Sequence, residues 1–384
     1  MTARPGPAPD VVIVGGGVIG CATAYFLAAE HGLRCVVVER DGIASQASGG
    51  AAGELGATGE LGAGARGRSG EAYTRFIMRG IALHAELGPA LREESGVDYL
   101  LGDIPLLRPA FDEREADELR EQVRWQRGLG IETEWLDAEA VRGLGTWLAP
   151  EVVGASYTVE TQLEAYPFAL AVAQAAERHG VEIRSGEVTG ILQEGDRAVG
   201  VRIGGEELAA GAVLIATGPW AVHAGAWMGV EVPVSPLRGQ IVHLAPPEGT
   251  PMSSYGIFHE TGYVLPKAGG DLLAGTTREL AGFDRQPTSQ AQNDIMEAVV
   301  RLAPALIDAP IRDLTACLRP STPDGLPLIG AVAGWRNLYL STGHLFKGVT
   351  LALVSGRSLA QLMAGGTPDV ALDDYSPARF AGAR

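Results

Sequence analysis

The stretch VVIVGGGVIGCATAYFLAAEHGLRCVVVE, residues 11–39, constrains the fold more than any other part of the chain. VVIV, Val11 to Val14, is a short apolar run bounded by glycine, as a strand buried on both faces should be. ATAYFLAAEHG reads as an apolar helix stopped by Gly32, and CVVVE, Cys35 to Glu39, as the next strand. Strand, glycine turn, helix and strand form a βαβ unit, which commits the chain to a parallel sheet. The turn itself, GGGVIG from Gly15 to Gly20, spells G-x-G-x-x-G. Gly15 permits the tight turn, Gly17 lets backbone N–H groups approach a pyrophosphate, and Gly20 lets helix and strand pack closely. The helix N-terminus then faces the phosphates, where its dipole favours negative charge. Glu39 ends the second strand, placed to accept hydrogen bonds from ribose hydroxyls. These features predict a dinucleotide site.

A second match, GAGARG from Gly62 to Gly67, fails the same context. ELGATGEL ahead of it is no apolar strand, and RSGEAYTRF behind it starts a charged helix. In a chain with 53 glycines such a match arises by chance, so it reads as a loop and one dinucleotide site remains.

The length of 384 residues allows two domains, or one large domain with an insertion. A net charge of −16 argues against a nucleic-acid binder, whose footprint would be basic. Cys21, Cys35 and Cys317 are too few and too scattered for a disulfide framework or a zinc site, so no metal is expected and the context reads as reducing cytosol. MTARPGPAPD carries no apolar stretch of signal-peptide type, and no apolar run reaches the ~18 residues a membrane helix needs. A cytoplasmic protein without a membrane span is the expectation.

Further along, Ala44 to Gly70 is rich in Gly, Ala and Ser and reads as loop plus short helix, suited to close approach of a bulky ligand. Phe111 to Gly130 and Ala165 to Gly180 have helical patterns, and residues 181–205 alternate as strands and turns. AVLIATGPW, Ala212 to Trp220, is a buried strand running into glycine. From Val232 to Arg278 alternation and turns predict antiparallel sheet, followed by a helix in SQAQNDIMEAVVRLAPAL. The end is a strand, Asn337 to Gly343, and a long helix whose N-terminus falls near Gly348 and Val349. Parallel βαβ pieces and antiparallel segments interleave, with no internal repeat. The class is α/β (α+β overall): a Rossmann-like cofactor domain interleaved with an antiparallel-sheet substrate domain. The boundaries expected are 1–90, 158–230 and 315–384 for the first, and 91–157 and 231–314 for the second.

Interleaving suits FAD, a long cofactor threaded through several parts of the chain, better than a nicotinamide. Thr217 and Gly218 close a strand where backbone can pass the cofactor, and the helix N-terminus near Gly348 can face a flavin.

The motifs VVIVGGGVIG, ASQASGGAAGELGA, GASYTVETQLEAYPFA, LIATGPWA, GYVLPKAGGDLLAGTT, CLRPSTPDGLPLIG and GHLFKGVTLA occur in that order. Together they resemble the D-amino-acid oxidase superfamily of FAD enzymes, within it most closely glycine oxidase, with sarcosine oxidase as a cousin. The resemblance runs nearly end to end. It implies FAD contacts from Val18, Ile19, Glu39, Arg40, Ala47, Ser48, Ala52, Gly53, Val188 and the loop from Gly343 through His344, Lys347, Gly348 and Val349 to Thr350.

Amine oxidation asks the protein mainly to orient the substrate, and the carboxylate is the natural handle. Arg319 is the first candidate, since guanidinium matches carboxylate bidentately, and in the glycine oxidase pattern this arginine is the anchor. Tyr263 corresponds to a tyrosine over the substrate, or else to a core residue of the sheet. The glycine oxidase pattern carries a histidine–aromatic–Arg–Asn order where this chain has His344, Leu345, Phe346, Lys347. Lys347 either replaces the lost arginine, as the sarcosine oxidase lysine implies, or is a solvated lysine. Glu54 and Arg278 stand at or near positions that are apolar in glycine oxidase. If they line the site, the substrate is a larger, charged amine such as an N-substituted glycine. If they point away, they pair elsewhere. Cys317 falls in register with the cysteine that sarcosine oxidases link covalently to flavin, where glycine oxidases have glycine. Either a flavin link or a plain buried thiol fits. The sarcosine oxidase lysine thought to help oxygen is replaced by Leu273 or Ala274.

The reading is an FAD-dependent oxidoreductase acting on the CH–N bond of a small amino acid or N-substituted glycine. The imine hydrolyses to an oxo acid plus amine or ammonia, and O2 gives H2O2. The alternative is the FAD subunit of an amino-acid dehydrogenase passing electrons to a partner protein. A homo-oligomer is allowed; nucleic acid is excluded.

Overall fold

The computed structural model describes residues 8–56, 68–145, 147–249 and 253–380. The loop expected for GAGARG, Gly62 to Gly67, lies outside the described residues.

Two large sheets organise the molecule. The first has six strands in the order Leu328–Ala331, Leu338–Thr342, Ala212–Ile215, Val11–Val14, Cys35–Glu39, Glu182–Ser185. All neighbours are parallel except the edge strand Leu328–Ala331. Val11 and Ile13 point into one core with helices Val18–Ala29, Ala165–Arg178 and Ala352–Met363. Val12 and Val14 point into a second core against the small three-stranded sheet Val188–Glu194, Arg197–Ile203, Glu206–Ala209. Successive strand residues face opposite ways, so a strand covered on both sides must be apolar throughout, which is why VVIV does not alternate.

The second sheet has eight strands in the order Ile311–Ser321, Ser235–Leu244, Leu272–Gly275, Gly262–Pro266, Gly256–His259, Gly102–Ala110, Gly154–Gln162, Thr133–Asp137. Here the alternation is clear. Val242, Val264 and Ala274 pack under helix Ser289–Leu302, while Ile241, Tyr263 and Leu273 share the opposite face. That opposite face looks towards the first sheet. The helix is capped by Thr288, whose Oγ1 accepts from the Ala291 amide at 3.2 Å.

The structure corrects the sequence reading in places and extends it in others. The antiparallel expectation holds for every pair of the eight-stranded sheet but one: Gly256–His259 runs parallel to Gly102–Ala110, with Gly256 opposite Leu106. Long connections separate these strands in sequence, and only a tight hairpin enforces antiparallel order. The charged helix expected to start in RSGEAYTRF does start at Arg68, inside the run read as loop plus short helix to Gly70, and continues for 28 residues to Ser95, carrying Phe76, Ile77, Leu83 and Leu91 into the first core. The C-terminal helix begins at Ala352, and residues 348–351 form turns ahead of it rather than its first residues. Strand Gly154–Gln162 spans residue 158, and strand Ile311–Ser321 spans residue 315.

Candidate active site

A cavity of about 1100 Å³ runs between the two sheets, from Gly15 and Glu39 at one end to Tyr263, Arg319 and Lys347 at the other. Its first end is built by the glycine turn. Gly15 has φ +110°, and a Cβ there would lie 2.5 Å from the Ala216 carbonyl oxygen. A Cβ on Gly20 would lie 2.2 Å from the Gly15 carbonyl, so Gly20 serves packing of helix on strand and does not line the cavity. Glu39 Oε2 accepts from the Gly16 amide at 2.6 Å, and its Oε1 from the Asp41 amide at 2.8 Å. Glu39 therefore braces the turn as well as lining the cavity. Ser48 Oγ accepts from the Val18 amide at 3.0 Å, which brings the loop 44–53 to the helix N-terminus.

Gly17, Val18, Ile19, Arg40, Ala47, Ala52, Gly53, Val188, Thr217 and Gly218 also line this cavity. Gly343, at φ +79°, and Thr350 do not: Gly343 turns the chain, and the Thr350 carbonyl faces Gly80 of helix Arg68–Ser95. His344, Lys347, Gly348 and Val349 do line it. Two hydroxyls on the wall, Thr217 Oγ1 and Ser341 Oγ, are buried with no hydrogen-bond partner among the described residues. Buried hydroxyls are normally bonded, so orphaned ones on the wall of a long cleft mark where a polar ligand would sit. With a cradle of glycines at a helix N-terminus, they fit an elongated dinucleotide cofactor.

The reacting end is made of charge. Arg319, in the strand Ile311–Ser321, donates to the Thr277 carbonyl at 3.1 Å and to Thr276 Oγ1 at 2.7 Å. Room for it depends on Gly239 in the adjacent strand, where a Cβ would lie 2.1 Å from the guanidinium carbon. Tyr263 depends likewise on its cross-strand partner Gly275, where a Cβ would lie 2.6 Å from the phenol oxygen. Tyr263 stacks on Phe258 with centroids 5.0 Å apart. Burial pushes its phenol up, so it stays neutral.

Lys347 is not solvated. It is 4% exposed, and its Nζ donates to the Gly56 carbonyl at 2.9 Å and meets Glu54 Oε2 at 3.5 Å. Glu54 in turn hydrogen-bonds Glu160, which lies 3.6 Å from Arg108. Two carboxyl groups share a hydrogen bond only when one is protonated. Burial opposes ionisation of Glu54, but Lys347, the bond from Glu160 and Arg108 outweigh it and hold Glu54 down to about 2. Burial and the Glu54 charge push Glu160 well up. Glu160 therefore carries the proton and Glu54 the negative charge. Arg278, exposed at the cavity rim, stands over the Phe346 ring. Cys317 is buried on the wall beside Gly50, and burial pushes its thiol up.

All five residues expected at the reacting end thus share one cavity. Glu160, Arg108, Phe258 and His84 were missed, and Phe346 was read only as part of the flavin loop. Glu160 left one trace, a charged residue on the inward face of the alternating strand SYTVETQ. His84, from helix Arg68–Ser95, donates Nε2–H to the Val349 carbonyl at 3.0 Å, and nothing local announces it. Burial holds His84 at about 4 and His344 at about 3, so both are neutral. Lys267 is a further buried cation. It ties the Ala52 and Leu163 carbonyls at 2.9 and 2.8 Å and so fixes the loop at Ala52 from behind.

A parallel sheet with a glycine turn at its switch point, opening on a second sheet that carries Arg319 and Tyr263, defines a flavoprotein oxidoreductase with a Rossmann-type cofactor sheet. The comparisons agree. The family model for the DAO group, FAD dependent oxidoreductase, matches residues 10–362, and the chain belongs to that family. It is 33% identical over 372 residues to a glycine oxidase of Pseudomonas aeruginosa, covering 96% of this chain and 98% of that one. It is 32% identical over 358 residues to a glycine oxidase of Geobacillus kaustophilus, covering 92% of each. The crystal structure of glycine oxidase from Geobacillus kaustophilus superimposes with a TM-score of 0.89 at 31% identity, covering 97% of this chain and 98% of that one. The chain is an FAD-dependent amino-acid or amine oxidoreductase. No helix among the described residues is long and apolar enough to cross a membrane.

Proposed function

We propose that the enzyme oxidises the CH–N bond of a small amino acid or N-substituted glycine to an imine, with O2 as the electron acceptor. The bound FAD supplies the two-electron acceptor for the substrate. Gly15, Gly17, Val18, Ser48, Glu39 and Thr217 would hold its nucleotide half, and Ala52, Gly53, His344, Gly348 and Val349 would border the rest.

One observation carries the reading: Arg319 is an arginine at the reacting end that, among the described residues, bonds only neutral oxygens, Thr276 Oγ1 and the Thr277 carbonyl. Two of its five N–H groups are used there, which leaves donors for a substrate carboxylate. Anchored by that carboxylate, the substrate presents its CH–N bond to the cavity, with Tyr263 and the Glu54–Lys347 pair forming the wall. The nitrogen reacts as the free amine. The C–H and N–H protons and two electrons leave, and a C=N bond forms. Water then adds to the imine and releases an oxo acid and ammonia or an amine, while O2 takes the two electrons and two protons as H2O2. We further place the protein in the cytoplasm, where its three free cysteines stay reduced, and allow a homo-oligomer.

The test is anaerobic mixing of the yellow holoenzyme with glycine, sarcosine and longer N-substituted glycines. Bleaching of the flavin, followed on admitting air by stoichiometric peroxide, is expected. A flavin that no member of the panel bleaches would sink the reading. Bleaching without peroxide would transfer the acceptor role to another molecule.

A further inference from the structure

Two guanidinium groups share one aromatic ring at the reacting end. The carbon of Arg319 lies 5.0 Å from the Phe346 ring centre, and that of Arg278 lies 4.8 Å from it. Both side chains line the cavity. Like charges so placed repel, and the ring face repays each only weakly.

Counter-charge is what this corner lacks. Among the described residues Arg319 bonds neutral oxygens only. The Arg278 guanidinium has no hydrogen bond and no ion pair among the described residues. The neighbouring acids are committed elsewhere. Glu279 and Asp284 hold Arg238 at 2.6 and 2.7 Å. Glu279 also takes Gln240 Nε2 at 2.8 Å and the Thr277 hydroxyl. The other cations of the reacting end, Lys347 and Arg108, share the single negative charge of Glu54, because Glu160 beside Arg108 is protonated, so that cluster has no negative charge to spare. Two positive charges therefore face the cavity, and no carboxylate among the described residues pairs with either. A single carboxylate held bidentately by Arg319 satisfies one of the two.

We propose that Arg278 forms a second anion subsite and that the preferred substrate is an amino dicarboxylate. One carboxylate sits on Arg319, the other on Arg278, and the CH–N bond lies between them. This rests on the amine-oxidation reading above and narrows its substrate class. Arg278 acts on specificity: it grips a part of the substrate remote from the reacting bond.

The experiment compares each dicarboxylate with its half-amide, which keeps the shape and removes one charge. The pairs are iminodiacetate with N-(carbamoylmethyl)glycine, and each enantiomer of aspartate with the matching asparagine. Flavin bleaching by the anaerobic holoenzyme should half-saturate at a concentration at least about tenfold lower for the better dicarboxylate than for its amide, as one charge-assisted hydrogen bond implies. In Arg278→Met that ratio should fall towards one. A binding arm uses glutarate, which has the chain length of iminodiacetate but no nitrogen to oxidise, and its half-amide. Glutarate should perturb the flavin spectrum at the lower concentration, and Arg278→Met should abolish the difference. Equal half-saturation by dicarboxylate and amide overturns the subsite, as does a preference that survives Arg278→Met. If no amine bleaches the flavin, the amine-oxidation reading fails, and the glutarate arm still decides whether Arg278 binds an anion.

Discussion

Lys347 and Glu54 form a buried ion pair across the cavity, Nζ to Oε2 at 3.5 Å, with side chains only 5% and 11% exposed. Glu54 is also hydrogen-bonded to the protonated Glu160, so the lysine is one corner of a four-residue cluster of two cations, one carboxylate and one carboxylic acid. Breaking a buried pair from one side leaves a charge without compensation and costs about 3–5 kcal/mol, whereas replacing both partners by apolar groups is often neutral. Lys347→Met is therefore expected to lower the denaturation midpoint sharply, and the double variant Glu54→Met/Lys347→Met to recover most of the loss. Chemical denaturation of the four members of this cycle checks it. Additive losses would mean that the two groups do not depend on each other.

Arg319 is held by Thr276 and Thr277 and faces the cavity. Arg319→Met should lower kcat/KM by about 10²-fold or more, since a carboxylate would lose two charge-assisted hydrogen bonds worth about 1.5–3 kcal/mol each. The variant should keep its flavin, because the glycine turn and Ser48 are untouched. Steady-state kinetics with the best substrate, alongside the ratio of flavin to protein absorbance, measures both.

Gly15 adopts φ +110°, and a Cβ there would fall 2.5 Å from backbone oxygen. Neither the conformation nor the space admits a side chain. Gly15→Ala should therefore purify with little or no flavin and a reduced melting temperature. A yellow, stoichiometrically loaded Gly15→Ala protein would contradict the role assigned to this turn.

His84 and His344 are neutral in the folded protein, at about 4 and about 3 against an ordinary 6.5. Below pH 6.5 the unfolded chain takes up protons that the folded chain refuses. The stability they contribute is present above that pH. It is lost as pH falls towards about 4 for His84 and about 3 for His344, at about 1.4 kcal/mol per pH unit for each. Denaturation midpoints measured from pH 7 down to 4.5 should fall accordingly. His84→Gln, which keeps a donor for the Val349 carbonyl, should shallow that slope.

Cys317 lines the cavity beside Gly50, but burial keeps its thiol protonated. A thiol in that state is a poor nucleophile. Acid precipitation of the holoenzyme is expected to leave the flavin in the supernatant, and yellow colour in the pellet would establish a covalent bond instead.

Much of the fold is legible because its determinants are local. VVIV and CVVVE are apolar at every position, the glycines of GGGVIG sit at fixed spacing, and Gly32 stops the helix between them. The start of helix Arg68–Ser95 was legible in RSGEAYTRF but its length was not, because it follows a glycine-rich run and contains Pro89, both of which speak against a long helix in isolation. Its place is secured by the core it covers, which strands from distant parts of the chain assemble. Arg319 and Tyr263 were legible through motifs in register, although their clearance depends on Gly239 and Gly275 across the sheet.

By itself the sequence determined the βαβ opening, the single dinucleotide cradle and the two-sheet class, since each follows from the order and period of neighbouring residues. Tertiary structure alone decided what the charged residues of the cavity are for. Glu54 and Lys347 stand 293 positions apart, and Arg278 and Arg319 meet only over the ring of Phe346. Whether a lysine is balanced or an arginine is left facing a substrate depends on which charges the folded chain brings within a few ångströms, and no local pattern encodes that distance.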